Sequence, residues 1–513
     1  MDTTAALKEA YVRYVVTSLP IAHPDLRRQF EECLSAEDAF LKGPYLEATP
    51  PFQTHPETYG ELVARGFLSG GFQQLAGPGF RLDQRPYQHQ FQAFEKVIHQ
   101  RRNVVLATGT GSGKTEAFLV PIVDHLLRQH ERAELGPGVR ALLLYPMNAL
   151  ANDQLSRLRQ LLQAAPHVTF GRYTGDTVGK HADALEQYRT EHAGDEDERF
   201  REPLPNELIS REQMHQAPPH ILITNYAMLE YLLLRPKASP LFEYGAWRFI
   251  VVDEAHVYDG AKGIELAMLL RRLRDRVVLS ERGRIRCVAT SATLSQDEPD
   301  ADARIAEFAK ELFDEAFAPE DIIHGSRRPL VEPSAPQHQS WALPAGLYGR
   351  LVKQIAVLEG HRRENWQTVV QGLAGICQQE GVPQSQVAHA VTVAEETAQA
   401  DGEDHGRQAV EAANCFLHGL LSGDEALTCL RRLLDEKPVR GADSLAADVF
   451  PHLPDEQARP ALTSLVQLAA RARPTTTDNA LLPARYHVFV RALEGGFVTL
   501  WPELRLHLHP RSE

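Results

Sequence analysis

NVVLATGTGSGKT (residues 103–115), followed by EAFLVPIVDHLL (116–127), decides the fold of the central part of this 513-residue chain. A short apolar run passes into a glycine-rich turn and then into a helix-forming stretch, which predicts a strand, a loop and a helix. Glycine lets backbone N–H groups turn toward a bound anion, and the helix N-terminus adds partial positive charge there. The segment therefore predicts a loop that binds phosphate groups.

Four more apolar runs alternate with helical stretches between residues 81 and 330. Continuous apolar runs separated by helices are typical of a parallel sheet covered on both faces. The sequence therefore predicts an α/β fold, a doubly wound parallel sheet with a phosphate-binding loop. With the first strand, the predicted strands are NVVLAT (103–108), RALLLYP (140–146), HILITN (220–225), RFIVVDEA (248–255) and RIRCVATSAT (284–293).

The side chains of the loop predict ATP and Mg²⁺ as its ligands. Lys114 can reach the β- and γ-phosphates, and the Thr115 hydroxyl can ligate Mg²⁺. Thr108 stands where the longer form of this loop has glycine, so the match is to the short GxGKT form. The nucleotide-binding residues predicted from the loop are Thr110, Gly111, Ser112, Gly113, Lys114 and Thr115.

Two carboxylates follow the apolar run 250–252. An acidic residue at the carboxyl end of a strand in a doubly wound sheet faces the crevice where ligands bind. Asp253 is predicted to hold Mg²⁺ through water. Glu254 is predicted to orient and deprotonate the attacking water. Together with Lys114 they are the predicted catalytic residues.

The motif Asp253-Glu254-Ala255-His256, the tripeptide Ser291-Ala292-Thr293 and GSGKT resemble those of the superfamily-two DEAD/DEAH-type helicases. The resemblance implies a RecA-like fold for residues 81–330. It also implies that ATP state is coupled to movement of nucleic acid through His256, Ser291, Ala292 and Thr293.

Three further segments resemble motifs of that family. PYQHQ (86–90) resembles the adenine-reading motif, which implies that Tyr87 and Gln90 contact the base; an amide has both a donor and an acceptor for its edge. YPMNALANDQ (145–154) and Thr224-Asn225 resemble motifs that contact the nucleic-acid backbone. The nucleic-acid residues implied in this way are Pro146, Asn148, Ala149, Gln154, Thr224 and Asn225.

The finer detail of YPMNALANDQ and of DEAHVYDGAKGIELAMLLRRL (253–273) resembles the branch with Lhr-type and MrfA-type bacterial helicases. Members of that branch act mainly on DNA and usually move 3′ to 5′, and some are found in phage-defence islands. The resemblance therefore implies DNA as the nucleic-acid partner, with DNA repair or phage defence as the setting.

A motor of this superfamily has two RecA-like domains, and the second supplies arginines to the γ-phosphate from a motif such as QxxGRxGR. No such segment follows Thr293, and Arg271, Arg272, Arg274 and Arg276 are predicted to lie on a solvated or backbone-contacting helix face. The chain is expected to bind ATP–Mg²⁺, hydrolyse it slowly, and need a second RecA-like domain in cis or in trans. A piece of a larger helicase, one subunit of a split motor and an ATP-gated nucleic-acid-binding module without motor activity all remain open, in that order. A small-molecule P-loop kinase would fit GKT, but it would not explain Gln90 or the acidic motif.

Composition changes predict four regions. They are a mostly helical N-terminal extension (1–80), the ATP-binding domain (81–330), a helical domain (331–480) and a β-hairpin around Gly495-Gly496 (481–513), the start of a connector to the second motor domain. Residues 183–203 are predicted to be a charged, solvated insertion within the second region.

The formal net charge of −14 argues against coating of nucleic acid by the whole surface, but it allows a local basic groove. The five cysteines contain no CxxC pair, so neither a zinc site nor a disulfide framework is predicted. His487, His507 and His509 are predicted to be exposed strand residues rather than metal ligands. The absence of a basic, then apolar, N-terminus and of an apolar run near 18 residues predicts a cytoplasmic protein without a membrane segment.

Overall fold

The computed structural model describes residues 2–35, 41–109, 111–194, 198–243, 245–291, 300–331, 340–360, 365–398, 405–475, 478–490, 497–499 and 504–507. Five predicted residues or features lie outside these ranges: Thr110, Ala292, Thr293, His509 and the turn at Gly495-Gly496.

The strands and helices are numbered in chain order. The strands are β1 (Leu41–Ala48), β2 (Val104–Ala107), β3 (Ala141–Tyr145), β4 (Phe170–Arg172), β5 (Glu207–Leu208), β6 (Ile221–Asn225), β7 (Phe249–Val252), β8 (Arg286–Ser291), β9 (Ile322–His324), β10 (Val439–Gly441), β11 (Ala484–Val490), β12 (Phe497–Thr499) and β13 (Arg505–His507). The helices are α1 (Asp2–Ser18), α2 (Pro24–Ser35), α3 (Tyr59–Ala64), α4 (Gln88–Phe94), α5 (Lys114–Glu131), α6 (Asn148–Leu162), α7 (His181–Glu191), α8 (Arg211–Gln216), α9 (Tyr226–Leu234), α10 (Gly260–Val278), α11 (Ala301–Phe313), α12 (Ala345–Gly360), α13 (Trp366–Gln379), α14 (Gln384–Ala398), α15 (His405–Leu421), α16 (Glu425–Glu436), α17 (Ala442–Val449) and α18 (Asp455–Ala469).

The central sheet has eight strands in the order β5-β4-β6-β3-β7-β8-β2-β9, and every neighbouring pair is parallel. Each of the five predicted strands is present, and the predicted doubly wound parallel sheet is confirmed. Its strands are apolar on both faces because both faces are covered. Leu142 packs into one core and Leu143 into the core on the opposite face.

The sequence did not reveal the three short strands β4, β5 and β9, which have three, two and three residues. So few residues cannot show a periodic pattern, and the ladders to neighbouring strands define them instead. They matter because β4 brings Arg172 to the same edge of the sheet at which β3 and β6 end.

The chain divides into two compact units, residues 52–327 and residues 1–51 with 328–513. The predicted boundary near residue 80 is therefore misplaced. Tyr59, Leu62 and Phe72 belong to the same buried core as Phe118 of α5, so the segment from Phe52 is part of the sheet-containing unit. The predicted boundary at 330 lies three residues from the observed one at Arg327.

The other unit joins the N-terminal and C-terminal segments, which were predicted as separate regions. Strand β1 pairs antiparallel with β10 and with β11, and Leu46 packs into the core formed by α12 to α18. The last two described strands, β12 and β13, form an antiparallel pair. Among the described residues β11 pairs with β1, and the predicted turn at Gly495-Gly496 lies outside them, so a hairpin across that turn stays a prediction.

Within residues 52–327, the charged insertion and the arginine face of α10 are mostly exposed or half-buried, as predicted, but each contains a buried side chain that was not predicted. In the charged insertion, Tyr188 is buried, stacks on His192 at 4.1 Å and lies under the Arg159 guanidinium at 5.0 Å. Arg274 of α10 is buried and pairs with Glu315 at 2.7 Å. Charged sequences conceal such burial because the partners lie far away in the chain. Of the helices in the described ranges, none has the length and apolar character needed to cross a membrane.

Candidate functional site

The glycine-rich loop turns sharply where β2 leads into α5. Gly111 and Gly113 have φ values of +73° and +69°, a left-handed conformation that favours glycine. A Cβ placed on Gly113 would lie 2.3 Å from the Gln90 amide nitrogen, whereas one placed on Gly111 would meet no atom within 4 Å. The loop is thus closely packed on its α4 side and open above Gly111, where a phosphate could approach.

Helix α4 fixes the end of this loop. The Gln90 Nε2 donates to the Gly113 carbonyl at 2.9 Å, and its Oε1 accepts from the Tyr87 backbone N–H at 2.8 Å. His89 Nε2 donates to the Ser112 carbonyl at 2.8 Å, and burial lowers the pKa of His89, which favours its neutral form. Both ends of the Gln90 amide are engaged, so contact with adenine stays a prediction that requires one of these bonds to be exchanged.

The predicted lysine and carboxylates meet at the carboxyl ends of β2 and β7. Lys114 Nζ lies 3.2 Å from Glu254 Oε1, although the two residues are 140 positions apart. Glu254 has a left-handed φ of +50°, which is uncommon for a residue with a side chain. Its other carboxylate oxygen, Oε2, lies 3.3 Å from His256 Nδ1, which in turn lies 3.3 Å from the Ser291 hydroxyl.

Thr290 holds both carboxylate residues in place. Its hydroxyl accepts from the Glu254 backbone N–H at 3.1 Å and donates to Asp253 Oδ1. Thr290 is fully buried at the end of β8, beside β7. No role was predicted for Thr290 from the sequence. Its position directly before the Ser-Ala-Thr motif was the available signal.

The electrostatics at Asp253 favour a cation. Burial raises the pKa of Asp253, and Glu254 adds to the rise, while Thr290 and Lys114 oppose it. A positive ion near this carboxylate would stabilise its charged form, because the attraction offsets the cost of removing the charge from water.

The residues present fit ATP with Mg²⁺. The Thr115 hydroxyl and the Asp253 carboxylate are the hard oxygen donors that Mg²⁺ prefers, and Lys114 supplies a cation for phosphate. Within the described ranges, no group of three His, Cys, Asp or Glu side chains could hold a metal by itself. A Mg²⁺ held by Thr115 and Asp253 would therefore complete its shell with phosphate oxygens and water.

An aromatic ring, Phe52, packs beside the start of α4 near the glycine-rich loop. The Phe52 ring lies 5.6 Å from the Tyr87 ring and 4.7 Å from the Arg327 guanidinium. Arg327 Nη2 would also lie 3.8 Å from a Cβ on Gly109. Arg327 is thus a cation beside the phosphate loop that the sequence analysis did not identify, since it comes more than 200 residues later in the chain.

Two of the predicted nucleic-acid residues are brought together at the ends of β3 and β6. Asn225 donates to Asn148 Oδ1 at 2.8 Å and caps α9 by accepting from the Met228 backbone N–H at 2.8 Å. Asn148 donates to Asp176 at 3.1 Å. The two amides form a polar edge beside the N-termini of α6 and α9, which suits contact with phosphates.

The other predicted nucleic-acid residues are less accessible. Thr224 is fully buried and its hydroxyl donates to the Tyr173 carbonyl at 2.6 Å, so a direct contact with nucleic acid stays a prediction that requires this bond to be exchanged. Gln154 is buried, and its Oε1 has no hydrogen-bond partner among the described residues. Pro146 is half-buried, and the side chain of Ala149 lies outside the described part of the chain.

Arg172 adds a cation at this edge that the sequence analysis missed. It is half-buried at the end of β4 and donates to the Asn152 amide oxygen. It lines a cavity of about 420 Å³ together with Arg159, Asp176 and Tyr188. The nucleic-acid edge thus extends from the Asn148–Asn225 pair to the insertion.

A strand, a left-handed glycine loop and a helix, with a lysine facing a strand-end carboxylate, define the class of P-loop nucleotide-binding proteins. Within that class, residues 87–194 and 202–301 match the DEAD/DEAH box helicase family, so the chain carries a DEAD/DEAH box helicase domain. The match includes the loop, the acidic motif and the two asparagines.

The chain is similar to Druantia protein DruE of Escherichia coli (strain UMEA 4076-1), with 29% identity across 100% of the chain and 31% of the relative. It is also similar to the ATP-dependent helicase Lhr-Core of Methanothermobacter thermautotrophicus, with 32% identity over 35% of the chain and 19% of the relative. The chain thus spans about a third or less of these curated relatives. A crystal structure of the helicase MrfA bound to DNA aligns with 67% of this chain and 40% of its own, at 20% identity and a TM-score of 0.38.

Proposed function

We propose that this chain is the ATP-binding half of an ATP-dependent nucleic-acid helicase or translocase. The observation that carries the proposal is the contact of Lys114 with Glu254, beside the Asp253 carboxylate held by Thr290. A phosphate-binding lysine, a metal-binding carboxylate and a candidate base share one edge of the sheet, as nucleotide hydrolysis requires.

The same contacts suggest how these residues would act. The Lys114–Glu254 ion pair occupies both side chains, so phosphate that takes Lys114 also frees the Glu254 carboxylate. Freed, Glu254 can accept a proton from water while Thr290 keeps its backbone fixed. His256 and Ser291 continue the contact from Glu254 to β8, a route by which the state of the nucleotide could reach the rest of the domain.

Full hydrolysis is proposed to need a second RecA-like domain, in cis or in trans. An arginine supplied from another domain contributes about 10³–10⁵ in rate in related phosphoryl-transfer systems. The chain spans about a third or less of the length of these relatives, so helicase activity like that of the full-length relatives is only proposed for it. The alternative is an ATP-gated nucleic-acid-binding subunit or sensor without motor activity.

DNA is proposed as the nucleic acid because the motifs resemble the branch whose members act mainly on DNA. The solved MrfA structure holds DNA, and the DruE relative is a Druantia protein. A setting in bacterial DNA repair or phage defence, in the cytoplasm, stays a prediction.

The test is ATP hydrolysis by the purified chain, with and without single- and double-stranded DNA. Lys114→Ala removes the phosphate-binding cation, and Lys310→Ala, at an exposed lysine paired with Glu307, is the matched control. The expected result is ATP binding lost in Lys114→Ala only, with slow hydrolysis by the wild type. Hydrolysis that DNA stimulates strongly would show a motor complete without a second domain. Equal ATP binding by both variants would refute the proposed site.

A further inference from the structure

The opposite, amino-terminal edge of the sheet carries a concentration of arginine. Arg101 precedes β2, Arg248 precedes β7, and Arg286 begins β8. Together with Arg128, Arg132 and Arg284 they line a cavity of about 400 Å³. These six side chains are called the arginine cavity below. The phosphate-binding loop lies at the other end of the same strands.

Few carboxylates compensate this charge. Asp124 and Glu134 also line the cavity, and Asp124 pairs with Arg128 at 2.8 Å. Outside the lining, Glu281 pairs with Arg284 at 3.2 Å. The cavity therefore has an excess of cations within a chain whose net charge is −14.

Two of the arginines are held without a carboxylate among the described residues. Arg248 donates to the carbonyls of Gly245 and Trp247, each at 2.7 Å. Arg286 lies over the Phe249 ring at 5.3 Å, and its buried Nε has no hydrogen-bond partner in the part of the chain that the structure describes. A buried donor without a partner costs free energy that a bound acceptor would recover.

The arginines also repel one another, which makes the charged form of each side chain less stable. Burial, together with the charges of Arg101 and Arg248, lowers the pKa of Arg286 to about 10. Burial lowers the pKa of His125 to about 3, with Arg286 and Arg248 contributing, so this histidine is neutral near pH 7. An anion would relieve this repulsion.

Stabilisation of the carboxyl end of α5 explains the position of only some of these arginines. Arg128 and Arg132 lie at the carboxyl end of α5, where cations favour the helix dipole. Arg248, Arg284 and Arg286 precede or begin strands, which have little net dipole. Their convergence on one cavity therefore needs another explanation.

We propose that the arginine cavity binds phosphate groups, carried either by a nucleic-acid strand or by a free polyphosphate. Guanidinium groups bind phosphate through paired, charge-assisted hydrogen bonds. The volume lies at the small end of ligand sites, about 300–1,000 Å³, which suits a few phosphate groups rather than a large molecule. The site does not depend on the ATP-binding loop.

The experiment starts from the Lys114→Ala protein, so that the ATP-binding loop contributes little. Inorganic tripolyphosphate is titrated by calorimetry against this protein, against the same protein with Arg101→Ala and Arg132→Ala, and against a control with Arg81→Ala and Arg189→Ala. Arg101 and Arg132 are exposed, so their removal leaves the fold intact. The control arginines are also exposed, but each is paired with a carboxylate. The expected result is an affinity at least tenfold lower in the cavity variant and unchanged in the control.

A labelled single-stranded DNA then distinguishes the two sources of phosphate. If DNA uses the cavity, the cavity variant lowers the slope of log affinity against log salt by about 0.7 for each DNA phosphate that it no longer neutralises. An unchanged slope, together with loss of tripolyphosphate binding, assigns the cavity to a free polyphosphate. The proposal would be overturned if the affinities for tripolyphosphate and for DNA were the same in the cavity variant and in the control. No readout uses ATP hydrolysis, so failure here is distinct from failure of the proposed function.

Discussion

The two edges of the central sheet are built by the same strands, yet their chemistry is opposite. At the carboxyl edge, β7 is followed by Asp253 and Glu254, which face Lys114 and the start of α5. At the amino edge, the residues before or at the start of β2, β7 and β8 are Arg101, Arg248 and Arg286. Helix N-termini gather at the first edge and the carboxyl end of α5 reaches the second.

The difference shows that the direction of the backbone explains one edge better than the other. N–H groups and positive helix ends at the carboxyl edge favour phosphate, and carboxylates there recruit the metal ion that accompanies it. The helix dipole of α5 favours some cations at the amino edge, but more arginines lie there than the end of one helix can account for. The following predictions test whether the carboxyl edge is catalytic and whether the amino edge is more than helix support.

The largest effect is expected at Glu254. Glu254→Gln keeps the size of the side chain but removes its charge and the base, so hydrolysis should fall by about 10²–10⁴ while ATP still binds. Single-turnover hydrolysis and nucleotide binding measured on one preparation separate the two steps. Unchanged hydrolysis would exclude Glu254 as the base.

The next effect concerns Thr290. Thr290→Val removes the hydroxyl that joins Asp253 and Glu254, so the free energy of unfolding should fall by about 1–3 kcal/mol and hydrolysis should fall with it. Thr290→Ser keeps the hydroxyl and should retain both. Denaturant unfolding and hydrolysis are measured on both variants. Equal behaviour of valine and serine would show that the hydroxyl does not position the carboxylates.

A smaller and pH-dependent effect is expected at Asp253. Its raised pKa means that the charged carboxylate lowers stability above the folded-state pKa, and this cost disappears as pH falls toward the ordinary Asp value. Asp253→Asn should therefore raise the melting temperature at pH 7 without Mg²⁺, and the gain should shrink in acid. Melting curves from about pH 4, near the ordinary Asp pKa, to about pH 8 provide the test. A variant less stable than the wild type at pH 7 would contradict it.

The smallest effect separates helix support from charge excess at the amino edge. If Arg132 mainly supports α5, Arg132→Ala should cost about 0.3–1 kcal/mol. If repulsion among the arginines dominates, as we expect, the variant should be as stable as the wild type or slightly more so. Arg276→Ala is the comparison, because Arg276 near the end of α10 donates to the Leu233 carbonyl at 3.0 Å and should lose stability. Denaturant unfolding measures both variants.

The sequence alone determined the sheet and the core of the ATP site. Long apolar runs, a glycine loop and a strand-end acidic pair are local patterns, so β2, β3, β6, β7 and β8 could be predicted with Lys114, Asp253 and Glu254. Each pattern can be read from residues that are neighbours in the sequence. Because the strands are parallel, their carboxyl ends meet at one edge of the sheet, and the residues that follow them come together there.

Only the tertiary structure decided the remaining features. Thr290 could not be assigned before β8 was seen beside β7, and Gln90 is engaged on the loop rather than left free. The unit boundary at Pro51 depends on β1 pairing with strands nearly 400 residues later. The arginine cavity likewise joins side chains from residues 101 to 286. Such features depend on contacts between distant segments, because charge and burial are set by neighbours in space rather than in sequence.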